Sequence, residues 1–141
     1  MKESSLIKNR DRAKQLLAFD GMQYGRCRPT DIDLSMDWQG KTFVFVEMKG
    51  RGAPLTLGQK LHLEGLVNAI RAGGKTAWAI VAEHDTAYHE HDVHCAESKV
   101  RVVYDGNSWA KENLGEKSLD SLLQDLHTSH QLEYPQRSKT A

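Results

Sequence analysis

The stretch from residue 30 to residue 49 constrains the fold more than any other part of the chain. Residues 30–37 alternate between polar and apolar side chains, which predicts a strand with one apolar face. Residues 42–49, with the sequence TFVFVEMK, are apolar on both faces up to Glu47, which predicts a buried central strand. Glu47 and Lys49 share one face at the end of that strand, where charged groups are costly unless they are paired or used.

The register of these two strands decides which acids meet Glu47. A two-residue turn would place Asp33 on the face opposite to Glu47. A three-residue loop over residues 39–41 instead places Asp33 opposite Glu47 and Asp31 opposite Lys49. We expect the three-residue loop, which brings a carboxylate from each strand to one point with an ammonium beside it.

The periodicity of the remaining chain predicts further helices and strands around this pair. The predicted elements are helices over residues 4–19, 56–71 and 118–127, and buried strands over residues 75–82 and 100–104. Gly21 and the pair Gly73–Gly74 are expected to end the first two helices. This order predicts an α/β or α+β fold in which helices flank a mixed central sheet, and we expect the α/β class.

Length and composition predict one domain. The 141 residues are 39% hydrophobic, which is enough for one packed core but not for two. We expect a single domain over residues 1–127 and a polar, flexible tail over residues 128–141. The longest apolar run, residues 77–82, is far shorter than a membrane span, and Cys27 and Cys95 allow at most one disulfide, so we expect a soluble intracellular protein.

The formal net charge is zero, but the charges are unevenly distributed along the chain. Residues 1–28 and residues 49–75 each carry a net charge of +4, whereas residues 83–97 carry −5. A neutral total argues against a nucleic-acid partner, but two separated basic segments favour one. A pair of carboxylates flanked by such segments suits Mg²⁺, which proteins usually hold with one or two carboxylates plus waters and substrate phosphate.

The pattern of an Asp, a hairpin and Glu47-Met-Lys49, followed by a helix beginning near residue 56, resembles the PD-(D/E)xK nucleases. Within that superfamily it is similar to small phage and bacterial members of the VRR-Nuc type and to Holliday-junction resolvases. The specific part of the likeness covers residues 29–59, and the Pro-Asp dipeptide of the motif is absent. The resemblance implies a restriction-endonuclease-like core, with a helix, a three-strand meander, a helix and a strand over about residues 1–104. It also implies Mg²⁺-dependent hydrolysis of DNA phosphodiester bonds, with Mn²⁺ as a substitute.

The resemblance also implies roles for individual residues. The implied catalytic residues are Asp33, Glu47, Lys49 and Gln59, and the implied metal ligands are Asp33, Glu47 and the Met48 backbone carbonyl, with Asp31 or Glu3 as alternatives. A different interpretation makes Asp33, Glu47 and Lys49 a buried ion cluster that stabilises the hairpin. Likewise, Gln59 stands three residues after Thr56, so it is equally expected to form a capping box at the helix start.

Basic residues near these positions are candidates for contacts with DNA phosphates, namely Lys8, Arg12, Arg26, Arg28, Arg51 and Lys60. We therefore expect a nuclease that acts on DNA, with branched or structured DNA as candidate substrates, in the cytoplasm of a bacterial or phage-infected cell. A homodimer would allow two sites to cut two strands. The alternative is a non-catalytic module that binds nucleic acid or protein on a nuclease scaffold.

Four histidines and a cysteine fall within residues 84–95: His84, His89, His91, His94 and Cys95. These residue types bind zinc, but their spacing lacks the paired form of known zinc motifs. An exposed loop is the favoured interpretation, and a zinc-dependent hydrolase is a third hypothesis.

Overall fold

The two strands around the predicted loop form an antiparallel hairpin. In the computed structural model, which describes residues 16–86, 92–111 and 116–135, β1 (Leu34–Trp38) pairs with β2 (Thr42–Gly50). Leu34 lies opposite Val46, and the loop between the strands consists of residues 39–41. The three-residue loop and its register are therefore confirmed. The strand begins at Leu34 rather than at residue 30, although exposed and half-buried side chains alternate from residue 31 to residue 38.

The loop that sets this register contains two residues in the left-handed region. Gln39 has a φ of 60° and Gly40 a φ of 66°, a conformation that glycine adopts freely and glutamine rarely. The Asp37 carboxylate accepts a hydrogen bond from the Gly40 amide at 2.6 Å, and the Lys41 amide donates to the Trp38 carbonyl at 3.0 Å. These two bonds compensate for the unfavourable backbone of Gln39 and hold the loop at three residues.

Within the described residues the strands form one mixed sheet in the order β1-β2-β3-β4-β5. The chain leaves β2 through α1 (Leu57–Ala72), which returns it to β3 (Thr76–His84), parallel to β2. A 3₁₀ turn (Cys95–Glu97) leads into β4 (Lys99–Tyr104), β5 (Trp109–Ala110) and α2 (Leu119–Glu133). Both β4 and β5 are antiparallel to their neighbours.

One helix covers each face of the sheet. Leu63 of α1 belongs to a buried cluster against which Phe45 of β2 packs, whereas Leu122 of α2 belongs to a second cluster that includes Val46. Successive side chains of a strand point to opposite faces, so β2 contributes alternately to the two clusters. The apolar run on both faces of β2 thus reflects burial between two helices.

The α/β class and a mixed sheet flanked by helices are confirmed, but the element order differs from the one that the nuclease resemblance implies. Among the described residues two strands, rather than three, precede α1, because the hairpin passes directly into the crossover helix. Residues 16–19 of the first predicted helix are not helical, and Leu16 and Leu17 are exposed and so gain no packing energy there. The rest of that helix lies outside the described residues. Strand β5 was missed, because two residues are too few to show a period.

The chain divides after Thr30 into two compact units. In the first, described from residue 16, Tyr24 and Cys27 exchange backbone hydrogen bonds of 2.9 and 3.1 Å across a turn. The second unit begins at Asp31 and contains the sheet. The single domain over residues 1–127 stays a prediction. No helix in the described ranges is long and apolar enough to cross a membrane.

The second helix is longer than predicted and reaches into the expected tail. α2 continues to Glu133, because its last turns have packing partners that their polar sequence does not reveal. His130 is buried, and its Nδ1 atom is 2.7 Å from the hydroxyl of Thr42, which is also buried. The ring of Trp38 stacks on His127 and His130. The flexible tail therefore does not begin at residue 128.

The Thr42–His130 hydrogen bond gives a test of this packing. Thr42→Val keeps the side-chain shape but leaves a buried histidine nitrogen without its partner, so we expect the free energy of unfolding to fall by about 1–2 kcal/mol. Urea denaturation measures this change. Thr128→Val is the matched control, because the Thr128 hydroxyl donates a hydrogen bond to the Gln124 carbonyl on the exposed surface of α2. Equal effects of the two substitutions would contradict the importance of this contact.

Candidate active site

The end of β2 presents two charged side chains beneath the start of α1. Phe43, Phe45, Glu47 and Lys49 alternate with the residues that face α2, so all four lie on the α1 side of the sheet. Glu47 is 6% exposed, and its Oε1 atom is 4.0 Å from the Lys49 ammonium nitrogen. A buried carboxylate and a largely buried ammonium therefore lie together at the edge of the core.

Gln59 links both charged groups to the first turn of α1. Its amide nitrogen donates to Glu47 Oε1 at 2.9 Å, and its Oε1 atom accepts from the Lys49 ammonium at 2.7 Å. The same Oε1 atom accepts a hydrogen bond from the Thr56 backbone amide at 3.2 Å. In return, the Thr56 hydroxyl accepts a hydrogen bond from the Gln59 backbone amide at 3.1 Å. The sequence allows Gln59 to form either a capping box or a contact with the charged pair, and the structure contains both.

Asp33 completes the cluster from the neighbouring strand. Its Oδ2 atom accepts a hydrogen bond from the Met48 backbone amide at 2.7 Å, just beyond the last paired residues of the hairpin. Asp33 is also close enough to accept a hydrogen bond from the Glu47 carboxyl group when Glu47 is protonated. Asp31 is exposed and has a smaller electrostatic effect on Glu47 than Asp33 has. Asp31 and Asp33 are both candidate ligands from the sequence, and Asp33 is the one that lies against Glu47 in the structure.

The surroundings of Glu47 hold its carboxyl group partly protonated near neutral pH. Burial is the largest influence, and with the negative charge of Asp33 it raises the pKa of Glu47 from 4.5 to about 7. The Lys49 ammonium opposes this shift, while Asp31 and the hydrogen bond that protonated Glu47 donates to Asp33 add to it. A carboxyl group whose pKa is raised by burial and by a neighbouring acid belongs to a site whose negative charge a cation would stabilise.

The donor atoms at this position fit Mg²⁺ better than a softer metal. Asp33 and Glu47 supply two carboxylates, which together with waters and a substrate phosphate is the usual set for Mg²⁺. In the part of the chain that the structure describes, no group of three or more His, Cys, Asp and Glu side chains is arranged to hold a metal ion. The Met48 carbonyl as a ligand stays a prediction, and Glu3 lies outside the described residues.

A second polar cluster, not expected from the sequence, holds the loop between β2 and α1. Arg101 donates to the Ala53 carbonyl at 2.7 Å and to the Glu83 carboxylate at 3.1 Å. The same Glu83 oxygen accepts the Gly52 backbone amide at 3.3 Å. The hydrogen bond from Arg101 is the main cause that lowers the pKa of Glu83. The sign of this cluster in the sequence is an arginine, Arg101, within the otherwise apolar run of residues 100–103.

The predicted DNA-contacting residues lie in different parts of the structure. Lys60 is exposed on α1 next to Gln59. Arg51 is exposed and lies 3.5 Å from an Asp85 carboxylate oxygen. Arg26 and Arg28 are exposed in the first unit, and Lys8 and Arg12 lie outside the described residues.

The histidine-rich segment is only partly described. His84 accepts a hydrogen bond from the Thr86 amide at 3.2 Å through Nδ1, and His94 is exposed. Both line a cavity of about 540 Å³ together with acidic and basic side chains. His89 and His91 lie outside the described residues, so the zinc hypothesis stays a prediction.

Comparison of the chain with known protein families, with curated proteins and with solved structures finds no match. We therefore infer the function from the geometry of the site and from the resemblance of residues 29–59 to a nuclease motif.

The pKa of Glu47 predicts an unusual pH dependence of stability for the metal-free protein. Between about pH 4.5 and pH 7 the folded state keeps a proton on Glu47 that the unfolded state has released, so stability falls as the pH rises. The full loss is about 3 kcal/mol. We expect Glu47→Gln to remove most of this decline in EDTA, measured by urea denaturation at about pH 5 and pH 8.

The control for this measurement is Glu97→Gln, which removes one negative charge from an exposed residue. This variant is expected to keep the decline of the parent protein. A decline that persists in Glu47→Gln would show that another group is responsible.

Proposed function

We propose that the protein is a Mg²⁺-dependent nuclease that hydrolyses DNA phosphodiester bonds. The observation that supports this most strongly is the connected set of Asp33, Glu47, Gln59 and Lys49 at the end of β2. A buried ion cluster that served only to hold the hairpin would not need a second acid that adds to the rise in the pKa of Glu47 caused by burial. The resemblance to PD-(D/E)xK nucleases supports the same function.

Asp33 and Glu47 would hold the metal ion, with Mn²⁺ as a substitute for Mg²⁺. When bound, the ion supplies a Lewis acid for a phosphoryl oxygen and lowers the pKa of a coordinated water. The backbone amide of Met48 positions Asp33 at 2.7 Å, so this carboxylate is oriented before any ion arrives. Glu47 is oriented by the Gln59 amide in the same way. Preorganised ligands of this kind reduce the rearrangement needed on metal binding.

Lys49 provides a positive charge beside the carboxylates. Its ammonium is held by the Gln59 oxygen at 2.7 Å and stays 4.0 Å from Glu47. In that position it would offset the negative charge that develops on the phosphate during hydrolysis, or orient the attacking water. Gln59 acts as a positioning residue because it holds both Glu47 and Lys49 through one amide group.

Two exposed basic residues of the second unit would bind the phosphates on either side of the cleavage site. Lys60 follows Gln59 on α1, and Arg51 lies in the loop before that helix; Arg26 and Arg28 belong to the first unit. Such contacts position a duplex without reading its sequence. The proposal includes branched or structured DNA as the substrate and a homodimer as the assembly. It also includes the cytoplasm of a bacterial or phage-infected cell as the location.

Cleavage of a panel of DNA substrates tests the proposed activity. Supercoiled plasmid, single-stranded, flap and four-way DNA are incubated with the protein and Mg²⁺ or Mn²⁺, and products are separated on gels. We expect cleavage that EDTA abolishes and that falls at least about 100-fold in Asp33→Asn, Glu47→Gln and Lys49→Ala. The first two substitutions preserve side-chain size, so loss of activity would not arise from repacking.

The chain offers a matched control in a second Glu-x-Lys sequence at residues 97–99. Glu97 and Lys99 are exposed and take no part in the contacts among Asp33, Glu47, Lys49 and Gln59. The variants Glu97→Gln and Lys99→Ala should therefore cleave at the parental rate. Absence of cleavage on every substrate with either metal, by correctly folded protein, would favour a non-catalytic module that binds nucleic acid or protein.

Metal binding is tested separately from catalysis by thermal denaturation. We expect Mg²⁺ to raise the melting temperature, and to raise it more at about pH 8 than at pH 5.5, because the ion binds the ionised form of Glu47. The increase should be lost in Glu47→Gln and in Asp33→Asn. An equal increase in these variants would place the metal elsewhere.

A further inference from the structure

A cavity of about 390 Å³ lies at the other end of the sheet from the carboxylate pair. Trp38 and Thr42 are the paired residues at the hairpin end, whereas Glu47 and Lys49 are at the far end of β2. Most of the side chains that line this cavity are flat rings, and two are amides: Trp38, His127, His130, Tyr134, Gln39 and Gln131. None of the side chains that line it in the described part of the chain is an acid, a lysine or an arginine.

The rings around the cavity are held in place by contacts with one another. Trp38 lies 5.7 Å from His127, with ring planes 6° apart, and 5.9 Å from His130, with planes 23° apart. His130 contacts the ring of Tyr134 at 5.3 Å and is fixed at its Nδ1 atom by the Thr42 hydroxyl. The cavity therefore has walls that are ordered by packing and hydrogen bonding in the free protein.

We propose that this cavity binds a nucleobase. Its volume is within the range of small-ligand sites, and aromatic walls stack on any base because every base has a π face. The amides of Gln39 and Gln131 each carry a donor and an acceptor, which matches the mixed edge of a base. A purely aliphatic ligand would leave these amides without partners.

Two ammonium groups next to the cavity offer partners for a phosphate attached to the base, within a set of charges that is balanced overall. The Lys41 ammonium lies 5.3 Å from the centre of the Tyr134 ring, and the Lys75 ammonium donates to the Gly40 carbonyl at 2.8 Å. Two carboxylates lie near them and keep their negative charge: Asp37, which accepts the Gly40 amide, and Glu133, which accepts the Thr76 hydroxyl. The base can come from a free nucleotide or from an unpaired position in a strand, since both present the same chemistry.

This site is independent of the proposed nuclease centre. None of its lining residues takes part in the contacts among Asp33, Glu47, Lys49 and Gln59. Binding is therefore expected to be the same in Lys49→Ala as in the parent protein, and to persist in EDTA. If the nuclease proposal fails, the nucleobase site is not affected, and the reverse also holds.

Isothermal titration calorimetry in EDTA tests the proposal. The ligands are thymidine 5′-monophosphate, deoxyadenosine 5′-monophosphate, a short oligothymidylate and ribose 5-phosphate, which has the phosphate and sugar but no base. We expect the base-containing ligands to bind at least about tenfold more tightly than ribose 5-phosphate. Binding of the mononucleotides alone identifies a free nucleotide as the source, and tighter binding of the oligonucleotide identifies an unpaired base.

Two variants locate the binding. His127→Ala removes a stacked ring and should weaken the base-containing ligands by about tenfold, and Gln131→Ala, at an exposed position that preserves the fold, should weaken them by about threefold. Gln124→Ala is the matched control on the exposed surface of α2 and should bind as the parent does. The proposal is overturned if the nucleotides bind no better than ribose 5-phosphate, or if folded His127→Ala and Gln131→Ala both bind as tightly as the parent.

Discussion

The register of the β1–β2 hairpin is the constraint on which the candidate site depends. A shift of one residue would move every side chain of β1 to the opposite face of the sheet, and Asp33 would leave Glu47. The loop over residues 39–41 prevents that shift, through a left-handed Gln39 and Gly40 and the hydrogen bond from Gly40 to Asp37. The geometry of a surface turn thus determines whether two carboxylates meet at the edge of the core.

The buried Glu47 makes the start of α1 part of the site. A carboxylate in such surroundings needs hydrogen-bond donors, and a nearby ammonium needs acceptors. The single amide of Gln59 supplies one of each while it also caps the helix. The position of α1 is therefore coupled to the positions of Glu47 and Lys49, and the bonds of Arg101 to the preceding loop reinforce that coupling. The raised pKa of Glu47 indicates that the metal-free arrangement is under electrostatic strain, a common feature of functional sites.

The two ends of the sheet differ in chemistry. One end of β2 carries carboxylates and an ammonium, and the other lies beside a cavity with aromatic walls. The apolar middle of β2, buried between two helices, separates them and provides a rigid connection. For a protein that acts on nucleic acid, this arrangement would place metal-dependent chemistry and base stacking on one scaffold.

The sequence alone determined the features that depend on local patterns. Alternation and apolar runs identified the four longer strands, and capping and glycine signals identified α1. The hairpin register was open between two loop lengths, and the structure confirms the expected three-residue loop. Only the tertiary structure decided the contacts between distant segments. Thr42 and His130 are 88 residues apart, and no local pattern shows that two polar residues will share a buried bond and extend α2 to Glu133. The same reason explains why Arg101 was missed and why the aromatic cavity could not be predicted: both arise where segments far apart in the chain pack together.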